Sequence, residues 1–548
     1  MQARDLGPLL RMVQHVPPRQ LARRALLQAK RRARVALEKA APGTLRRPAR
    51  AVARPLAQWP VSPLQPRLDD AMLGHAVAPV PPIDWAPEWA PPNTLERIRL
   101  HEHHWLKSLS DAEFLAVLHD WVARVPPYGP GYWVGAWNAF ALSVRVAVWM
   151  DQLARREALH DDVLEPILQS LADQLAWLAR NLETDLGGNH LVKNLLALRW
   201  GAACFEGPDA VRWGELADEH LITQLAIQVP DDGLHVERSP AYHLQVFEDF
   251  LALLPLVPPG TARGALESAL ERMAYAAAFT TAPDGGPLLL GDGGLTMARP
   301  ARELLDAYVS HGGERPDVPA VAALADAGLY AFRDGSDLVV VDAGPLAAEA
   351  LPAHGHADCL ALTWVLDGER FLVDQGVYEY QGDTRAACRS TAAHNTMTLD
   401  DLDQAELFGV FRAGRRWTVT RHAWMPRADG FVLTASHDGY AHLPGSPVHR
   451  RTVEVKGRRI RVEDRVEGGQ HQRAVSRLLL HPDVTVRILG SGAILHFHDH
   501  EIDLRTTAAV RVVDAVWWPD FGEERPTQRL ELDLGRAPCS ARFTLQVR

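Results

Sequence analysis

The sequence predicts a multidomain α+β protein in which an array of helices is followed by a large antiparallel β-sandwich. Three observations predict it. The chain has 548 residues, too many for one ordinary domain. Apolar residues recur at helical spacing from about Asn93 to Asp326. From about Ala327, short β-rich runs bounded by turn residues take over. The expected division is therefore 1–92, a basic segment and Pro-rich linker; 93–326, helical; and 327–548, β-sandwich.

Apolar residues make up 47% of the chain and charged ones 23%, a normal globular balance. No run of about 18 uncharged apolar residues offers a membrane span. Met1 to Pro18 lacks the apolar centre of a secretory signal, so a cytoplasmic location is expected. Cys204, Cys359, Cys388 and Cys539 are scattered without CxxC spacing and read as reduced, mostly buried thiols.

Residues 1–54 carry 14 Lys and Arg against Asp5 and Glu38, a net of about +12 that leaves about −22 on the remainder. This segment, with Lys30-Arg31-Arg32-Ala33-Arg34 at its centre, is either a solvated helix face packed on the body or a peripheral contact for anionic lipid. Nucleic acid is not expected as a partner, because no aromatic residues interleave with the cations. Residues 41–92, with Pro60, Pro63, Pro66, Pro79, Pro81 and Pro82, read as a linker or an extended wrap.

In the helical part, Leu171, Leu175, Leu178 and Leu182 fall on one face. Similar segments follow at about 137–157, 215–228, 241–256 and 262–279. Periodicity does not decide between a bundle, a solenoid and a closed toroid. In the β part, Leu338-Val339-Val340-Val341, Leu360 to Leu366, Phe371-Leu372-Val373 and Trp417-Thr418-Val419-Thr420 read as strands, and Asp334-Gly335 and Asp367-Gly368 as turns.

Three groups of residues carry possible chemistry. In Gly187-Gly188-Asn189-His190-Leu191-Val192-Lys193-Asn194, the glycines end one helix and Asn189 is placed to cap the next. His190, Lys193 and Asn194 then share a polar face. In Glu237-Arg238-Ser239-Pro240-Ala241-Tyr242-His243, Ser239 as cap and Pro240 as first residue start a helix. Its dipole favours a phenolate at Tyr242, a group able to serve as acid or base. In the third, His356 of His354-Gly355-His356-Ala357-Asp358, Asp374 and His394 could form a three-ligand zinc site, or the histidines could sit in a hydrogen-bond network. A tight hairpin at Asp367-Gly368 would set Asp374 opposite Ala361, so zinc binding requires the 354–358 segment to fold back.

Asn189-His190, the Glu237 to His243 stretch, His354-Gly355-His356-Ala357-Asp358 and Arg389-Ser390-Thr391-Ala392-Ala393-His394-Asn395-Thr396 resemble, in order and spacing, the signature blocks of the heparinase II/III superfamily of polysaccharide lyases. The resemblance covers about residues 95 to 430 and extends to toroidal oligoalginate lyases. It implies an incomplete (α/α) toroid, an antiparallel β-sandwich, and cleavage of a uronate-containing glycan by β-elimination. It also implies roles. Asn189, assisted by His190, meets the substrate carboxylate. Tyr242 is the acid and possible base, and His354 the base or a second carboxylate partner. Tyr380 and Arg389 are substrate contacts, and beside what the resemblance implies Lys193 and Glu237 are expected to be further ones. His356, Asp374 and His394 hold a mainly structural zinc.

Two features depart from the pattern: degradative members are normally exported, and Lys193 stands where one branch has a carboxylate. Leu9-Leu10-Arg11-Met12 and Pro17-Pro18-Arg19-Gln20-Leu21 are similar to members associated with exopolysaccharide or lipopolysaccharide gene clusters. Two other functions are open: a non-catalytic polysaccharide-binding or assembly protein, and a glycoside hydrolase using Glu237 and Asp292 as its carboxylate pair. The sequence leaves the oligomeric state and the particular glycan open.

Overall fold

The computed structural model describes residues 6–64, 81–88, 94–129, 131–156, 159 and 161–548. The chain divides into two compact units: Pro17–Gln228 with Glu248–Leu270, and Met1–Val16 with Val229–Phe247 and Glu271–Arg548. Part of the expected linker, including Pro66 and Pro79, lies outside the described residues, as does Asn93. Among the described residues no helix is long and apolar enough to cross a membrane.

The first unit is helical. Its helices include Pro18–Ala40, Leu95–Glu102, Asp111–Arg124, Ala139–Arg155, Asp161–Ala179, Gly188–Cys204 and Pro208–Gln228. Local chemistry sets their starts. Ser110 and Glu113 form a reciprocal capping box, and Asn138 accepts from the amides of Phe140 and Ala141. Leu171, Leu175 and Leu178 are buried on one face of the Asp161–Ala179 helix, as their spacing predicts, whereas Leu182, also buried, lies beyond the helix end. The described part of the Pro-rich segment is a wrap. Val52–Ala53 pairs with Phe205–Glu206, and the amides of Ala49 and Ser62 donate to Asp173 and Asp151.

The second unit carries the sheets. Five antiparallel strands run in chain order, Val321–Leu324, Leu329–Asp334, Asp337–Asp342, Leu362–Leu366 and Glu369–Leu372. The first begins six residues before the expected boundary, because Val321-Ala322-Ala323-Leu324 is too short and alanine-rich to announce a strand and owes its form to pairing with Leu329–Asp334. An eight-stranded sheet includes Val419–Arg427, Gly430–His437, Val448–Lys456 and Arg459–Glu467, and a four-stranded one includes Arg473–Leu479 and Glu523–Arg536. Side chains from these sheets, among them Trp364, Phe371, Phe431, Val462, Leu478, Leu530 and Phe543, share one core. Within it Arg451 holds Asp464 through two hydrogen bonds of 2.7 and 2.8 Å and donates to the carbonyls of Leu360 and Asn395, so its buried charge is fully matched.

Candidate active site

Ser239 caps the Pro240–Leu253 helix as its sequence predicts, its hydroxyl accepting from the Tyr242 amide at 3.2 Å. Tyr242 therefore stands in the first turn, 8% exposed. Its ring stacks on His354, with centroids 3.7 Å apart, and its hydroxyl lies 2.6 Å from that of Tyr380. The expected phenolate is not what this site favours. Burial, joined by the nearby Asp292 charge, pushes the Tyr242 phenol well above its ordinary range. Burial and the Asp292 charge thus act against the helix end and favour the protonated phenol.

Asp292 organises the site. It is fully buried. Its oxygens meet Nδ1 of His354 at 2.8 Å and Nε2 of His356 at 2.9 Å, and Arg385 grips both of them. Although burial works the other way, Arg385 and the two histidines hold the carboxyl far below its usual range. The backbone is fitted to this hub. Gly291 lies in the left-handed region, where a side-chain carbon would come within 2.7 Å of the His354 carbonyl, and the Asp292 amide donates to that same oxygen. Arg385 also lies 5.1 Å from the ring of Tyr380 and 5.3 Å from that of Phe411.

Nε2 of His354 is 3.2 Å from Glu237, which is 4% exposed. Tyr242, His354, Glu237 and Tyr380 are thus brought together. Arg389 is 1% exposed and its guanidinium donates to the carbonyls of Pro352, Gly355 and Val410, which holds the 352–355 loop that carries His354. Sequence reading missed Arg385, and it placed Asp292 only in a hydrolase's carboxylate pair with Glu237.

In the helical unit, the two glycines do not end a helix, since the preceding one stops at Ala179. Their positive φ angles shape the entry to Gly188–Cys204, where Gly187, and not Asn189, is the cap. Asn189 is one residue inside the first turn and 7% exposed. Nδ1 of His190 lies 3.2 Å from Glu183, whose amide and carboxylate also bind the Asn194 side chain. Glu183, seven residues before His190, went unnoticed because a loop separates them. Lys193 is bound to the buried Asp249 at 2.6 Å, so its ammonium is committed within the fold.

His394 Nδ1 lies 2.8 Å from Asp374 Oδ1, and the rings of His356 and His394 are 5.2 Å apart. His356 Nδ1, His394 Nε2 and Asp374 Oδ2 are buried without a hydrogen-bond partner. Three orphaned N and O donors suit zinc in kind. As the side chains stand, no group of three or more His, Cys, Asp or Glu among the described residues is set to hold a metal ion.

A heparinase II/III N-terminal family model matches residues 102–288, and a heparinase II/III-like C-terminal model matches 316–543. Two curated relatives are heparin-sulfate lyases. That of Pedobacter heparinus is 28% identical over 305 residues, 48% of this chain and 42% of the relative. That of Bacteroides stercoris is 26% identical over 298 residues, 48% and 41% of the two chains. The match thus spans less than half the length of these relatives. Among solved structures, heparinase III superposes with a TM-score of 0.72 at 17% identity, covering 89% of this chain and 86% of that one. A mutant heparan sulfate lyase of Pedobacter heparinus gives 0.65 at 19%, covering 96% and 88%. These likenesses carry the fold, helical toroid followed by β-sandwich. With both models matched in order along it, the chain belongs to the heparinase II/III family.

Proposed function

We propose that the protein is a polysaccharide lyase that cleaves a uronate-containing glycan by β-elimination. The observation that carries the reading is the pairing of a buried phenol with an oriented imidazole, Tyr242 stacked on His354 at 3.7 Å. Elimination requires the uronate carboxylate to be neutralised, the C5 proton removed and the leaving oxygen protonated. Asn189, assisted by His190, is the carboxylate partner. His354 is the base: Asp292 engages Nδ1, and Nε2, which lies 3.2 Å from Glu237, is the nitrogen for proton transfer. Tyr242 is the acid, since its environment keeps the proton on the phenol until the leaving oxygen acquires charge. Glu237 and Tyr380 border these groups and are the nearest substrate contacts of the set.

His356, Asp374 and His394 are the residues that would hold zinc, on the strength of their three orphaned donors. Such an ion would brace the loop behind His354 by chelation, a structural contribution.

The test is to incubate the purified chain with a panel of uronate polysaccharides, heparan sulfate among them, in isotopically labelled water. Elimination gives new ultraviolet-absorbing ends and no label at the new reducing end. Label there would establish hydrolysis, and tight glycan binding without any cleavage would establish a binding protein.

A further inference from the structure

The Pro18–Ala40 helix carries 8 Lys and Arg and a single acid, Glu38. Its inner side is committed. Gln20 and Arg24 donate to the Asp185 carbonyl, Lys30 to that of Arg180 and Arg34 to the Asn181 side chain, while Leu27 is buried. Glu38 faces the same way, accepting from the Gly43 amide and lying 3.7 Å from Arg46.

The outer side has a different character. Ala22, Ala25, Leu26, Ala29, Ala33, Ala36, Leu37 and Ala40 are all exposed, with Leu26 at 58% and Leu37 at 43%. Their spacing places them on one helix face, an arc of about 120°. Arg32 and Lys39 border one edge of that arc and Arg19 the other, and all three are exposed. An apolar stripe turned to solvent gains nothing for the fold, and cations along its edges with no acid among them repel a like-charged partner. Both features are satisfied by one kind of surface, an acyl layer under anionic headgroups.

We propose that the solvent-facing stripe of the Pro18–Ala40 helix docks on an anionic lipid bilayer, with Leu26 and Leu37 entering the acyl boundary and Arg19, Arg32 and Lys39 at the headgroups. The stripe is mostly alanine, so the apolar gain is small and attachment depends on charge. It is reversible and falls as salt rises.

Flotation of the full chain with vesicles of phosphatidylcholine, alone or mixed with phosphatidylglycerol, tests this. The expected result is binding to the mixed vesicles only, lost at high salt. Leu26→Gln with Leu37→Gln, and separately Ala29→Glu at the centre of the stripe, should each weaken binding at least about tenfold without changing the melting temperature. No flotation with the mixed vesicles, or flotation that these variants leave unchanged, overturns the proposal. So does a dimer in solution that the same variants dissociate, since the stripe would then cover a second copy of the chain.

Discussion

His354 Nδ1 and Asp292 Oδ2 lie 2.8 Å apart inside the fold, and Arg385 holds the same carboxylate from another side. A buried carboxylate between an arginine and an imidazole fixes which ring nitrogen carries the hydrogen and which way the ring faces. Asp292→Asn should keep the shape while leaving Arg385 without its counter-charge. A stability loss of about 3–5 kcal/mol is expected, with turnover falling at least about tenfold and KM changing far less. Steady-state kinetics and thermal melting of the same preparation check this. A stable variant with unchanged turnover would remove Asp292 from the mechanism.

Lys193 gives a separate test, because its 2.6 Å pair with Asp249 commits its ammonium within the fold. Burial already pushes the Asp249 carboxyl up to about 6 with the lysine present. Lys193→Met takes away the cation and raises it further. A group whose folded value lies above its unfolded one contributes stability at low pH that is lost as pH rises through the folded value. The variant should therefore be near wild type below about pH 4 and lose about 3–5 kcal/mol above pH 7, with KM unaltered. Melting curves across pH and one saturation curve decide it; a raised KM at full stability would return Lys193 to the substrate.

For zinc, the expectation is about one tightly held ion per chain, with His356→Ala lowering the melting temperature as well as activity. Elemental analysis of carefully purified protein checks it. Less than about a tenth of an equivalent, with no stabilisation on adding zinc, would leave His356, Asp374 and His394 as a hydrogen-bond network.

What was legible in the sequence was local. Ser239-Pro240 announces a helix start within two residues, so Tyr242 could be placed in its first turn. The leucine stripe at Leu171, Leu175 and Leu178 needed only the helix period, which does not reach Leu182 because the helix ends at Ala179. Asp292 was hidden because its partners His354, His356 and Arg385 are 62, 64 and 93 residues away. The burial of Tyr242 is hidden for a related reason: the helix dipole is visible in a few residues, whereas burial depends on chain far from it. Lys193 looked available because Asp249 lies 56 residues on.

The central claim is that the Tyr242 phenol supplies the proton for the leaving oxygen, and Tyr242→Phe tests it most directly. Phenylalanine keeps the ring stacked on His354 and removes only the hydroxyl. Turnover on the cleaved glycan should fall about 10²- to 10⁴-fold, or about 2.7 to 5.4 kcal/mol of barrier, with the melting temperature little changed and affinity retained. A folded Phe variant that turns over within a few-fold of wild type would contradict the account.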